Sequence, residues 1–469
     1  MPDWLERTAG ERLAEYAEIV GWHLEQAHRY LAELGPIDER GAELARRAAD
    51  RLAGAGWTAS SRGDTSAGVK LRSRALALMA PDDPRRPQLL GDLGDALLWA
   101  GQFEDADRAL AEAIELADRA GDERTRIRSY LSQLRLRFQV DPDVDYAELE
   151  AEGLAMAARC EANGDDFSAA RAWRLVSWAR YGLCQLEGMR EPAERAYEFD
   201  SRAKDPHYPH DDLVGIIVAL SFGPTPASRA LVEGSEVLER VRGHRGAEAY
   251  ALCFLGQLRG MLGERDAARE MILKGVADRQ VLGDLPGAAM SRGEGLGYFI
   301  EMVRGDWPAA ELELRRAYEE LSSMGDKSYL SLTAGWLARC LYALGRYEEA
   351  DELATTSEQA TARSWIAAQV TWRGVRALLL AQRGEIEAGE RLAREAVELA
   401  LRTDRVDTQT AALMDLVEVL LVAGRGEEAI PIVIDALERY ERKEVLPAAA
   451  RARALLDELT AGTAASVGS

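Results

Sequence analysis

Two clusters in this chain combine aromatic rings with arginine forks at helical spacing. The first is Arg174, Trp178 and Tyr181, which share one face of a helix, within the crowded run Trp173 to Tyr181. The second is Gln369, Trp372, Arg373 and Arg376. Stacking and forked hydrogen bonds from such groups can clamp a peptide or a small ligand. The plainer alternative is that the tryptophans fill a core and the arginines cover acidic neighbours. His207-Tyr-Pro-His210-Asp211-Asp212 has side chains that could ligate a metal, but it sits in a proline-rich seam with no evident fourth ligand. His23 and His28 flank Glu25 five residues apart, whereas a HExxH zinc helix needs both imidazoles one turn apart on one face. A structural role is expected for both. There is no GxxxxGK[ST] phosphate loop and no Gly-x-Ser-x-Gly elbow, and Cys160, Cys184, Cys253 and Cys340 are too scattered for a CxxC site. The expectation is a chain without catalytic machinery, cofactor or metal.

The elements that must carry these side chains are set by internal repetition. Gly-x-bulky-x-x-small recurs as Gly101-Gln-Phe103-Glu-Asp-Ala106, Gly305-Asp-Trp307-Pro-Ala-Ala310, Gly345-Arg-Tyr347-Glu-Glu-Ala350 and Gly384-Glu-Ile386-Glu-Ala-Gly389, with weaker copies at Gly63, Gly263 and Gly424. From Gly263 onward the steps are 42, 40, 39 and 40 residues. Gly101 to Gly263 is 162 residues, so three degenerate turns should fall between them. Candidates are Asp141-Pro142-Asp143, the stretch Cys184 to Pro192, and Gly223-Pro224-Thr225-Pro226. A second mark, out of phase, reads Gly121-Asp122, Gly164-Asp165, Gly283-Asp284 and Gly325-Asp326, and continues at Thr403-Asp404 and Lys443-Glu444. There glycine can end one helix in the left-handed conformation and aspartate can cap the next. Two alternating turns, each near period 40, mean two helices per repeat, about ten hairpins in all. Leu330, Ala334, Leu337, Leu341 and Leu344 make one helical stripe, as do Ile127, Tyr130, Leu131, Leu134 and Phe138.

A single hairpin cannot cover its own apolar faces, so such units stack into a solenoid. The fold class expected is therefore all-α: a tetratricopeptide-like α-solenoid, a right-handed superhelix of about ten hairpins. Both aromatic–arginine clusters belong to first helices of hairpins, which line the concave face of such arrays. The domain reading is an N-terminal helical segment over 1–55, a repeat array over 56–459 closed by a single helix from Pro447 to Leu459, and a small-residue disordered tail over 460–469.

The formal net charge of −22 repels phosphate backbones, so no nucleic-acid partner is expected. The first residues carry charge rather than an apolar leader core, and no run approaches 18 apolar residues. No membrane span is expected, and the location expected by default is cytoplasmic.

The repeats resemble tetratricopeptide repeats with longer helices. More specifically, the chain resembles the C-terminal region of actinobacterial multidomain proteins in which a class III adenylate/guanylate cyclase and a P-loop ATPase precede a long repeat array; LuxR-type regulators with an ATPase module are related. The matching stretches are Glu18 to Ala27 with His23, Gly35-Pro36, Ala48 to Ala53, Phe222 to Pro226, Gln369 to Arg373, and Leu437 to Lys443. The resemblance implies a regulatory array without its effector: Met1-Pro-Asp-Trp4 looks like the exit from an ATPase module, and the paired aspartates of a cyclase have no counterpart here. It implies a stand-alone paralogue, one half of a split gene or a trimmed form. The function expected is a scaffold for a protein or peptide partner, such as a cyclase/ATPase module, in bacterial signalling. The alternative is a sensor whose groove takes a small molecule or peptide and regulates a cyclase, ATPase or transcriptional output module. A sensor needs a closed pocket with convergent polar groups, and a partner groove is long and open.

Overall fold

A computed structural model describes residues 16–203 and 211–467. Those residues are helical, with no strand among them. In chain order the helices are α1 Ala17–Leu34, α2 Glu39–Ser61, α3 Thr65–Leu78, α4 Arg86–Trp99, α5 Phe103–Ala120, α6 Glu123–Val140, α7 Tyr146–Ala162, α8 Asp166–Gly182, α9 Arg190–Ala203, α10 Asp211–Phe222 and α11 Ala227–Arg240. They continue as α12 Arg245–Met261, α13 Arg265–Leu282, α14 Leu285–Met290, α15 Trp307–Met324, α16 Ser328–Ala343, α17 Tyr347–Ala360, α18 Ile366–Gln382, α19 Ile386–Leu401, α20 Val406–Val422, α21 Gly426–Lys443 and α22 Leu446–Val467. Helix α14 runs on as a π-helix, Ser291–Met302. After α1, the described residues make ten hairpins, from α2/α3 to α20/α21, followed by α22.

The repeat motif explains the hairpins. The turn glycines Gly63, Gly101, Gly263, Gly305, Gly345, Gly384 and Gly424 all have positive φ, between 72° and 90°, which only glycine adopts without strain. The small residue lets the second helix approach the first: Ala350 is fully buried, and a Cβ on Gly389 would come within 2.6 Å of the Ala377 carbonyl oxygen. In three of the out-of-phase turns the aspartate caps as expected, whereas Asp404 does not cap the helix that follows it. Asp122 accepts from Thr125 N–H at 3.1 Å, Asp165 from Ser168 N–H at 3.4 Å and Asp326 from Tyr329 N–H at 2.7 Å.

The described residues form two compact units: one of residues 16–136 with 280–285, the other of the remaining described residues. The boundary expected at 55/56 falls inside α2. In the first unit α1 buries Val20 and Leu24 against Ala48. The closing helix continues to Val467, past the Leu459 limit expected from the apolar pattern; Ala461, Ala464 and Ala465 favour continuation.

The second unit holds the unexpected feature. Its three degenerate turns lie where predicted, after α6, α8 and α10. Each is pinned to a turn roughly two hundred residues later. Lys327 N–H donates to the Gln139 carbonyl at 3.0 Å. Ser364 Oγ accepts from Tyr146 N–H at 2.8 Å and donates to the Val144 carbonyl at 3.1 Å. The Asp404 carboxylate accepts from Leu186 N–H at 2.6 Å and Glu187 N–H at 2.8 Å. Glu444 accepts from Ser228 N–H at 2.7 Å, while Lys443 Nζ donates to the Leu220 and Thr225 carbonyls at 2.7 Å. The turns that lost the repeat motif are those that bind a second row of turns. Between the rows lie the buried rings of Phe138, Tyr181, Phe222 and Phe254 from first helices, Tyr146 from the start of α7 and Trp365 just before α18, with neighbouring centroids 5–6.5 Å apart.

Candidate functional site

The aromatic–arginine clusters do not converge on one opening. Arg174 is buried and donates from Nε to Asp212 at 2.5 Å and from Nη2 to Asp200 at 2.8 Å. Burial, with Asp212 beside it, pushes the Asp200 carboxyl well above the usual range. Tyr181 is also buried, against Phe222 and Trp365, and Trp178 is half-buried, edge-on to Tyr181 at 5.7 Å. Nearly all of α8 is buried. On α18, Gln369, Trp372 and Arg373 bond one another. Trp372 Nε1 donates to Gln369 Oε1 at 3.3 Å, and the Arg373 guanidinium lies 4.2 Å from the Trp372 ring centroid. Arg376 turns to α17, where it donates to Asp351 at 2.9 Å and Thr355 at 3.0 Å. The histidine readings divide. His28 Nδ1 donates to the Gly41 carbonyl at 2.9 Å, a structural role. His207 and His210 lie outside the described residues, as does Met1 to Trp4, and Asp212 is the partner of Arg174.

A different set of residues lines a partly open cavity. A cavity of about 390 Å³ lies among the π-helix, α16, α18, α20 and the closing helix α22. Its aromatic walls are Tyr298, Trp307, Trp336 and Tyr440, its aliphatic walls include Val370, Met414, Val417 and Leu421, and α22 adds Ala448, Arg451, Ala452 and Leu455. Tyr298 stacks on Trp336, with centroids 4.7 Å apart and planes 18° apart. Four charged groups reach the wall: Arg339, Asp415, Glu418 and Arg451.

Arg339 is the centre of the polar wall. Its Nε donates to Asp415 Oδ1 at 2.9 Å and its Nη2 to Glu418 Oε2 at 2.5 Å, and its guanidinium lies 5.4 Å from the Trp307 ring centroid. Its Nη1 is buried without a hydrogen-bond partner. Burial opposes the Arg339 charge, but Glu418 and Asp415 outweigh it and hold its pKa above the ordinary value. Burial pushes the Asp415 carboxyl up to about 6 despite Arg339 beside it. Gly374 makes room for that carboxylate, since a Cβ there would stand 2.2 Å from Asp415 Oδ2. Arg451, whose pKa burial lowers, donates from Nη1 to the Met302 and Val303 carbonyls at 3.3 and 3.1 Å. These carbonyls end the π-helix, where acceptors lack helical partners. Arg451 thus ties the closing helix over the cavity.

The π-helix explains a number already visible in the repeat. Gly243 to Gly263 and Gly325 to Gly345 each span 20 residues, but Gly283 to Gly305 spans 22. This is the source of the 42-residue step. The two extra residues are taken up by a wider helical wind, a rare geometry that concentrates at functional sites. It sets Tyr298 seven residues before its turn glycine, Gly305, face to face with Trp336, nine before Gly345.

No protein-family model matches the chain, and no curated protein matches it. Solved structures do. A chain of the APC/C hetero-tetramer Cut9–Hcn1 is 13% identical, with a TM-score of 0.53 over 97% of this chain and 94% of that one. Rap protein complexed with Competence and Sporulation Factor is 12% identical, with a TM-score of 0.47 over 81% of this chain and 98% of that one. Yeast Tom70 is 13% identical, with a TM-score of 0.35 over 95% and 96%. At these identities the likeness concerns fold. The chain is an all-α, tetratricopeptide-like helical-repeat solenoid.

Proposed function

We propose that this chain is a non-catalytic helical-repeat receptor that takes a small molecule or a short peptide end into the cavity beneath its closing helix. It passes that occupancy to a partner protein as a regulatory part of a bacterial signalling system. The observation that carries this reading is the partly open cavity of about 390 Å³, whose aromatic walls stand beside the ion pairs of Arg339 with Asp415 and Glu418. A pocket of that size with few convergent polar groups suits a ligand better than a flat partner surface. The open-groove reading is weakened because Arg174 and Tyr181 are buried. The test uses N-phenyl-1-naphthylamine, a neutral apolar fluorophore, with the full chain. Saturable binding is expected, and Ala452→Trp or Ala411→Trp, which fill the cavity from two walls, should abolish it while leaving the circular dichroism spectrum unchanged. Binding that survives both substitutions would overturn the reading, as would no binding at all.

A second reading, a surface for a protein partner, is favoured by α1. Ile19, Trp22, Tyr30 and Leu34 lie along one stripe of that helix and are all exposed, Leu34 by 84%. Such a stripe suits a partner's apolar groove. The cyclase/ATPase resemblance, which includes the His23 segment of this helix, supplies the partner class. Co-purification with such a module, lost on Trp22→Glu/Leu34→Glu, is the expected result.

A further inference from the structure

Stacked helical repeats touch only their neighbours along the chain, so such arrays open piecemeal from their ends. The second unit is tied differently. We infer that its two rows of turns form one all-or-none latch, in which releasing the clasp at one end releases every other. This goes beyond the receptor reading and holds whether or not the cavity takes a ligand.

The clasps are in register. Tyr146, Leu186 and Ser228 meet Ser364, Asp404 and Glu444 across 218, 218 and 216 residues. Both rows therefore share one pitch, and no turn can shift without its neighbours. Behind the clasps the rings form a continuous path. Phe138 to Tyr146 is 5.1 Å between centroids, Tyr146 to Trp365 is 6.0 Å, Trp365 to Tyr181 is 6.5 Å and Tyr181 to Phe222 is 6.0 Å. The path crosses to the second row at Trp365 and returns. Arg405 crosses beside it, its guanidinium 5.3 Å from the Tyr181 ring centroid and 4.2 Å from that of Phe222. Parting the rows at one clasp would wet rings that the other clasps also cover. Close-packed interiors switch between discrete arrangements and do not yield by degrees, so the rows part together. Helix α20 starts two residues after Asp404 and α21 ends just before Glu444, and they line the cavity through Met414 and Tyr440. The latch thus joins the cavity wall to the turns at 186–187 and 228.

Hydrogen exchange of the full chain, resolved to single amides, reads the latch. The N–H groups of Tyr146, Leu186, Glu187, Ser228 and Lys327 all donate across the rows. Each precedes or opens a helix, where an N–H has no helical acceptor, so its exchange reports the rows directly. Glu444→Ala removes the acceptor of Ser228 at one end. Glu444 is half-buried, and alanine carries the same strain at its φ of +64°, so only the carboxylate is lost. Exchange at Ser228 should become about tenfold faster, the loss of one hydrogen bond to a charged acceptor. The same factor is expected at Leu186, Glu187 and Tyr146, and at Lys327, three repeats away at the other end. Glu444→Gln keeps an acceptor oxygen and should bring all five back to within about twofold of the unsubstituted chain. Ser364→Ala, in the middle of the row, should speed all five as well, and answers the question if the first variant does not fold. Acceleration confined to Ser228, or one that fades from Ser228 toward Lys327, overturns the latch and leaves an ordinary array. No acceleration at any of the five overturns it too, as does a Ser364→Ala effect limited to Tyr146.

Discussion

Arg405 shows what a single residue carries in this fold. It is fully buried, donates to Glu294 at 3.3 Å and to Asp407 at 3.1 Å, and lies 4.2 Å from the Phe222 ring centroid. It precedes α20, so one inter-hairpin turn supplies the cation for a carboxylate of the π-helix more than a hundred residues earlier. Removing it alone leaves buried carboxylates uncompensated. Arg405→Ala should cost about 3–5 kcal/mol in urea unfolding. Arg405→Met with Glu294→Gln should cost less than Arg405→Ala alone, because the orphaned charge goes with its partner. A double variant less stable than the single one would contradict this account. At this scale the sequence was least legible. Arg174 sits among aromatic residues along the chain and Arg405 meets Tyr181 and Phe222 only in space, so neither one's local sequence marks it as a buried counter-ion.

At the scale of elements the glycines separate by backbone conformation. Gly345 has φ +74° with open space around it, so Gly345→Ala pays only backbone strain, about 1–2 kcal/mol. Gly54 lies mid-helix in α2, also in open space, and Gly54→Ala should stabilise by about 0.5–1 kcal/mol. Paired thermal melts of the two variants check both signs. The π-helix is the second test. Deleting two residues from 291–302 should restore the 20-residue spacing and α-helical winding, move Tyr298 off Trp336 and abolish fluorophore binding, with helical content retained by circular dichroism. Unchanged binding in that deletion would show that the cavity does not depend on the wider wind.

Across the second unit, three buried carboxyls share one sign of pH dependence. Burial pushes Glu294 and Asp326 up to about 7 and Asp415 up to about 6, from ordinary values near 4. The folded chain therefore binds more protons than the unfolded chain from about pH 4 to 7, and stability falls as pH rises through that window. Burial pulls Lys443 down to about 7, so its contribution has the opposite sign and acts above neutrality. The urea midpoint should fall between pH 5 and 7, then flatten or turn upward. Asp326→Asn, which keeps the cap oxygen for Tyr329, should reduce the fall. A midpoint that rises from pH 5 to 7 would contradict the burial of these groups.

Periodicity along the chain was enough to place the hairpins. The turn glycines, the aspartate caps and the apolar stripes are local signals, because a helix stops and a turn forms within a few residues of the groups that cause it. Even the three degenerate turns fell where the count required. The fate of the concave face was not local. Gln139, Tyr146, Leu186 and Ser228 meet their partners near residues 326, 364, 404 and 444 only after the intervening hairpins have stacked, and that meeting lays Trp365 and Arg405 against Tyr181. The cavity likewise needs side chains from six helices and the closing helix. The 42-residue step was in plain sight as a number, but its meaning, a widened helix facing Trp336, exists only once two neighbouring helices lie side by side.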